Sequence, residues 1–306
     1  MKTFSLKKYI PILLLFIAAF IFGISFSAQK EASAIPAFTM VSIRGFIAAL
    51  FLFALLPLTD RLQGNVQTYK QSYRLFTKPE ILGGIVCGTL LALASVLQQA
   101  GIGDGTDAGK ASFITALYIV IVPILGLFSR KLPKWNVWLS VLLATIGFFL
   151  LCIKEEFHLS TSDFLVLLCA FAFSLQIVAI DFFAPKGDGV RISCIQFLTT
   201  GIICGALALI LETPIVFQNF VTYLPQILYL AIGSSGIGYT LQIVAQRNTP
   251  PTATSLVLSL ESVFGAIAAA ILLGETLTPK EFLGCVVVFT AVILAQVSFP
   301  KRKKSE

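Results

Sequence analysis

Ten stretches of roughly 20 residues, apolar almost throughout, set the terms on which this chain can fold. They run at about 10–28, 35–57, 80–101, 108–129, 135–153, 163–184, 192–211, 224–245, 251–273 and 280–299. A hydrocarbon core about 30 Å thick is crossed by ~20 helical residues rising 1.5 Å each, so every stretch has the length of a membrane span. Composition excludes a soluble domain. Hydrophobic residues make up 57% and charged residues 12%, against roughly half and a quarter in an average soluble domain. The chain reads as an all-α membrane protein with ten transmembrane helices.

A net charge of +7 raises the question of nucleic acid, and the placement of the basic residues answers it. With the N-terminus in the cytoplasm, seventeen Lys and Arg fall on the cytoplasmic side, among them Lys7, Lys8, Arg61, Arg130, Lys134, Arg191 and the tail Lys301-Arg302-Lys303-Lys304. Only Lys30, Lys110, Lys154 and Lys280 fall outside, and Arg44 lies within a span. That bias predicts a multi-pass protein of the cell membrane with both termini cytoplasmic. The basic tail is expected to meet anionic lipid, and no basic surface with interleaved aromatics argues for nucleic acid. Lys7-Lys8, an apolar run and Ala32-Ser33-Ala34 imitate a cleavable signal peptide, but the run is longer than such signals, which favours a retained first helix. The six cysteines lack C-x-x-C spacing and read as packing residues, with no disulfide framework, metal site or cofactor implied.

The spans divide at the polar segment after residue 153. The expected organisation is a first five-helix repeat at 1–153, an outside linker at 154–162, a second repeat at 163–299 and a basic cytoplasmic tail at 300–306. Ser95-Val96-Leu97-Gln98 overlays Tyr239-Thr240-Leu241-Gln242, and Leu132-Pro133-Lys134 overlays Leu277-Thr278-Pro279-Lys280. Because each half has an odd number of spans, the second copy must be inverted. Inverted repeats are the architecture of secondary transporters, with the substrate site near the bilayer midplane between them. Gly84 and Gly88 in the third span, and Gly201 and Gly205 in the seventh, form G-x-x-x-G patterns suited to tight helix packing. Pro123 in the fourth span is expected to kink it. The glycine cluster containing Gly236 and Gly238 in the eighth suits either close packing or a bend. These three residues are the gating candidates.

Polar groups stranded in the apolar runs carry the functional reading. Glu261 lies about ten residues from either end of the ninth span, where a charge costs roughly 2.5–3.5 kcal/mol on insertion scales. Thr254, Gly265 and Ala268 form a small or polar stripe beside it, so it should face protein or water. Three roles account for it: binding a cationic substrate, exchanging a proton during transport, or pairing with a buried partner. Arg44 is a second deep charge, serving either an anionic group of the substrate or a structural tie to backbone carbonyls or to Glu261. Gln98, Gln99, Gln176, Gln242 and Gln246 must each find hydrogen bonds inside. Gln98 and Gln242 hold matching places in the two repeats. Tyr118 and Tyr239 offer aromatic walls for an organic cation, or else simply pack. The candidate substrate-binding set is therefore Glu261, Gln98, Gln242, Tyr118, Tyr239 and Gln176.

Other motifs fail on inspection. Residues 101–110, GIGDGTDAGK, imitate a phosphate loop, but Asp104 and Ala111 occupy positions that require Gly and Ser or Thr. The segment reads as a turn with Asp107 capping the fourth span. His158, the only histidine, cannot build a metal cluster or a catalytic triad. Glu275 reads as a solvated residue at the outer face.

Three stretches carry a family resemblance: Ser42-Ile43-Arg44-Gly45-Phe46-Ile47-Ala48-Ala49, Leu260-Glu261-Ser262-Val263-Phe264, and Leu273-Gly274-Glu275-Thr276-Leu277-Thr278. With the ten-span count and the two repeats, they resemble EamA-type members of the drug/metabolite transporter superfamily over almost the whole chain. The resemblance implies a transporter of small metabolites whose central cavity is lined by helices 1, 3, 4, 6, 8 and 9. The chain departs from the usual Leu-Glu-Pro by having Ser262, and carries Ala116-Leu117 near the place matching the acid. A straight ninth helix and a one-sided charge distribution are thus both open.

The expected function is secondary active transport of a small polar or cationic organic metabolite, of amine, amino acid or quaternary ammonium type, by alternating access. Proton coupling through Glu261 is one expected drive, and a monomer or homodimer the expected state. The alternatives are an intramembrane lipid-modifying enzyme using Glu261 as acid or base, and a non-transporting membrane subunit. The first lacks a second catalytic group beyond Arg44, and the second has no use for two-repeat symmetry.

Overall fold

The computed structural model describes residues 9–62, 76–128, 135–152, 160–213, 217–274 and 278–296. The described residues form helices and connections with no strand. Ten helical units follow one another: α1 (Ile10–Glu31), α2 (Ala37–Leu62), α3 (Lys78–Gly103), α4 (Ala108–Thr115 and Tyr118–Phe128), α5 (Trp135–Cys152), α6 (Thr161–Phe183), α7 (Gly189–Leu211), α8 (Leu224–Gln246), α9 (Pro251–Leu258 and Leu260–Leu272) and α10 (Pro279–Gln296). A short helix, Phe217–Thr222, precedes α8. Eight units are long and apolar enough to cross a membrane, while α5 and α10 carry the shorter apolar stretches Val137–Gly147 and Phe282–Leu294.

Helix is the form these runs must take, because lipid offers no partner to an open backbone group. Their ends use side chains for the same reason. Glu80 Oε2 accepts the Thr77 N–H at 2.7 Å at the start of α3. At the start of α6, Asp163 accepts the Ser160 N–H while Ser160 Oγ accepts the Asp163 N–H. Asp188 Oδ1 accepts the N–H groups of Val190 and Arg191 at the start of α7. Asp107 stands at the N-cap of α4, yet its side chain makes no capping hydrogen bond, contrary to the expectation from sequence.

Packing partners reveal the repeat. α2 packs on α7 and α5 on α10, each pair being exchanged with itself when every helix is replaced by the one five places away. Under the same exchange, the α3–α6 contact becomes the α8–α1 contact, α3–α7 becomes α8–α2, and α1–α9 becomes α6–α4, all of which are present. Two inverted five-helix repeats interlock in this way.

Glycines allow the closest approaches. A Cβ on Gly45 would sit 2.9 Å from the Gly201 nitrogen, and one on Gly88 would sit 2.5 Å from the Gln196 carbonyl oxygen. The α2–α7 and α3–α7 seams therefore run backbone to backbone, as small-residue patterns permit in lipid. Outward faces carry Leu50, Phe149, Leu209, Ile210, Ile271 and Phe282, while Arg44, Glu261 and the buried glutamines point inward. That inversion of the soluble pattern follows from a solvent as apolar as leucine.

The breaks in α4 and α9 fall at places the sequence did not mark, whereas the irregularity of α8 falls on its marked glycine cluster. The interruption of α4 lies at Ala116 and Leu117, whereas Pro123 sits inside the continuous helix Tyr118–Phe128. α9 is interrupted at Ser259 although no proline follows Glu261. In α8 the stretch Tyr229–Gly238 winds as a wider π-helix. Gly236 and Gly238 serve close packing there, since a Cβ on them would come within 2.8 Å of the Phe51 ring and 2.7 Å of the Phe22 ring. His158, Glu275, most of the 154–162 linker and the 300–306 tail lie outside the described residues.

Candidate functional site

Residues flanking both helix interruptions, Thr115 and Tyr118 in α4 and Leu258 and Glu261 in α9, border one cavity, and sequence chemistry explains how the second interruption is held. Ser255, Ser259 and Ser262 each donate a hydroxyl to the carbonyl three residues back, at 3.1, 2.8 and 2.7 Å. Ser262 N–H reaches only to Ser259 O, a tightened turn in place of the usual i−4 bond. Serine hydroxyls compete in this way with the backbone ladder and open it without proline. Glu261 falls in the first turn of the segment that follows, where free N–H groups favour negative charge. The apolar stretch of α9 is more buried than that of any other membrane-spanning helix among the described residues, so it is an interior wall.

Tyr118 begins the second segment of α4, and counting from the two interruptions places it as the counterpart of Glu261. Its hydroxyl faces the Glu261 carboxylate. The geometry falls short of a hydrogen bond, because both the Tyr118 hydroxyl and Glu261 Oε1 are buried without a partner.

Every residue of the candidate binding set lines one cavity: Gln98, Tyr118, Gln176, Tyr239, Gln242 and Glu261. Arg44 lines it too, adding α2 to the six helices the resemblance implied. The atom-free space among these side chains, mouth included, comes to about 420 Å³. Much of that space is too narrow to admit a water molecule.

Arg44 and Glu261 are 4% and 5% exposed, yet no ion pair joins them among the described residues. Arg44 Nε instead donates to Ser235 Oγ on α8 at 3.0 Å, and its Nη1 is buried without a partner. The structural tie expected of Arg44 is thus to a hydroxyl, and neither to a backbone carbonyl nor to Glu261.

The amides are anchored around this space. Gln98 donates to Thr115 Oγ1 at 3.1 Å, and Thr115 Oγ1 lies 3.9 Å from Cys169 Sγ. Gln176 donates to Gln196, and Gln242 donates to Gln246, which in turn donates to the Ile177 carbonyl. Gln99 points elsewhere, toward the Gln29 carbonyl oxygen.

Tyr239 stands among aromatic rings, with Phe22 at 4.6 Å, Phe197 at 5.7 Å and Phe173 at 6.4 Å between centroids. Phe22, Ser25, Phe26, Thr115, Phe173 and Ser234 also line the cavity and were missed from sequence. A phenylalanine in an apolar span looks the same whether it faces lipid or a cavity. The i, i+4 pairing of Phe22 and Phe26 around Ser25 was the one available hint.

Around this space stand a carboxylate with an unmet acceptor, a guanidinium with an unmet donor, amides and aromatic faces. Such a lining suits noncovalent binding. Among the described residues no group of three or more His, Cys, Asp or Glu side chains converges to hold a metal.

Comparison with known proteins agrees with this architecture. The model of the EamA-like transporter family matches residues 9–153 and again 160–296. A protein of Archaeoglobus fulgidus named as an uncharacterized transporter is 27% identical over 296 residues, covering 96% of this chain and 88% of the relative. One of Methanothermobacter thermautotrophicus with the same name is 27% identical over 292 residues, covering 90% and 83%. A solved crystal structure superposes with a TM-score of 0.73 at 14% identity over 94% of this chain and 96% of its own, a likeness of fold. With both halves matched, the chain belongs to the EamA-like transporter family of the drug/metabolite transporter superfamily and is a multi-pass membrane transporter.

Proposed function

We propose that this protein is a secondary active transporter that moves a small polar or charged organic metabolite through the cavity between its repeats. The repeats exchange packing so that the cavity opens to each side in turn, with both termini in the cytoplasm and the protein in the cell membrane. Glu261 is the central group, either holding a cationic part of the substrate or carrying a proton across. One observation supports this above the others: a carboxylate 5% exposed at the centre of a transporter, with an acceptor oxygen unmet. A buried charge left open is costly unless a ligand or proton completes it. Gln98, Gln176 and Gln242 would orient the substrate, and Tyr118 and Tyr239 would cover it.

The test is uptake of radiolabelled amine, quaternary ammonium and amino acid pools into liposomes holding the purified protein, under imposed pH gradients. Wild type is expected to take up at least one pool and to respond to the gradient. Glu261→Gln is expected to cut that uptake by about tenfold or more, since a charged hydrogen bond is worth that much or more, and to flatten the response. Equal uptake by the variant at every pH would defeat the role given to this acid.

A further inference from the structure

Resting on the alternating-access reading, we infer that the seam between α2 and α7 stays closed at both membrane faces throughout transport and is the hinge on which the cavity opens. Polar links lace this seam from end to end. At one face Glu212, at the end of α7, accepts from the N–H groups of Phe38 and Thr39 and from the Thr39 hydroxyl at the start of α2. Deeper in, Ser42 Oγ donates to the Gly201 carbonyl oxygen at 3.0 Å, and a Cβ on Gly45 would sit 2.9 Å from the Gly201 nitrogen. Cys194 Sγ donates to the Ala49 carbonyl oxygen at 3.6 Å. At the other face Asp60, near the end of α2, pairs with Arg191, near the start of α7, at 2.9 Å.

Linked positions fall along α7 as they rise along α2, so the two helices are held in one antiparallel register. From Phe38 to Asp60 the helix rises about 33 Å, the thickness of a hydrocarbon core. Parting the seam at either face would strand hydroxyls, carbonyls or a charge where lipid supplies no partner. The five-place exchange that relates the repeats maps this seam onto itself, with the Glu212 staple at one face falling on the Asp60–Arg191 staple at the other. Inward-facing and outward-facing forms of an inverted-repeat protein are related by the same exchange, so a seam closed at both ends serves both forms alike. Across the cavity the case differs, because α4 and α9 are both interrupted and the Tyr118 hydroxyl and Glu261 Oε1 lie buried without a partner. Groups unmet in the closed form lose nothing when that side parts, so the opening lies there and the α2–α7 line is its pivot.

The experiment locks the seam and asks whether access still alternates. A Cβ on Gly205 would lie 3.9 Å from the Ser42 Cβ, close to the ~3.8 Å found in disulfides. In the full chain with its six native cysteines replaced, Cys194→Ser keeping a donor for Ala49, the pair Ser42→Cys and Gly205→Cys is closed with a membrane-permeant oxidant. A thiol at the cavity-lining Ser25 is then exposed to an impermeant maleimide from either side of the membrane, in the locked protein and in one carrying Ser25→Cys alone. The pair is expected to cross-link, and the Ser25 thiol to be modified from both sides with no loss of rate on locking. If the cross-linked protein does not insert, hydrogen exchange on wild type in liposomes under pH gradients of either direction decides the matter. The amides of Phe38 and Thr39, held by Glu212, are expected to stay protected in both.

Modification from both sides without the lock but from one side with it would overturn the hinge and leave alternating access standing. Failure of the inserted pair to cross-link, or loss of protection at Phe38 and Thr39 under one gradient, would also overturn it. Modification from one side alone in the unlocked protein would overturn the alternating-access reading and this inference together.

Discussion

Substituting Gly23 by alanine probes the contact that positions Glu261. A Cβ at Gly23 would lie 2.5 Å from Phe264 Cβ, 2.8 Å from the Gly265 nitrogen and 2.9 Å from the Glu261 carbonyl oxygen. Two of these three are backbone atoms of α9, so no side chain can swing aside. Relief of contacts about 1 Å too short requires α1 and α9 to separate, and overpacking of this kind costs ~1–3 kcal/mol. The better helix propensity of alanine offsets up to about 1 kcal/mol of that. Gly103, at the end of α3, has nothing within 4 Å of an added Cβ and is the control. In mixed-micelle unfolding Gly23→Ala is expected to lose stability and Gly103→Ala to keep it, and Gly23→Ala should also impair transport because the Glu261 backbone moves. A Gly23→Ala protein as stable and as active as wild type would refute the close α1–α9 approach on which the site geometry depends.

Ser262→Pro should be tolerated, because Ser262 N–H makes only a turn bond to Ser259 O and the helix is already interrupted there. It is expected to cost well under the ~3 kcal/mol that Ile267→Pro should cost in the continuous part of α9; equal losses in a paired unfolding measurement would contradict the interruption. Glu212 caps α2 from the end of α7, accepting from Phe38 N–H, Thr39 N–H and Thr39 Oγ1 at 2.7, 2.8 and 2.6 Å. Glu212→Ala is expected to lower stability by about 1 kcal/mol in the same assay, and no change would show that the cap contributes nothing.

The fold was legible because lipid imposes a length and a polarity on each span, and those survive in sequence. Charges and amides in apolar runs were legible for a related reason: each is costly unless satisfied, so Glu261, Arg44, Gln98, Gln176 and Gln242 were bound to lie inside, and they meet in one cavity. Their roles are a separate matter that only the transport assays reach. The helix interruptions were not legible. Proline and glycine are the visible marks of a broken helix, yet Pro123 lies in an unbroken one, and α9 opens through hydroxyls of ordinary-looking serines. Nor was the separation of Arg44 from Glu261, since a hydroxyl 191 positions away, on Ser235, decides it. Aromatic lining such as Phe22 and Phe173 carries no sequence mark at all, because an apolar helix shows the same residue types on every side.

The central claim is that one cavity between the repeats is reached from both sides of the membrane in turn. Ser25 lines that cavity on α1 beside Gly23. In a chain whose six cysteines are replaced, Ser25→Cys can be exposed to a membrane-impermeant thiol reagent applied to right-side-out and to inside-out vesicles. Alternating access predicts modification from both sides, each suppressed by conditions that favour the opposite-facing state. Modification from one side alone under every condition would contradict it.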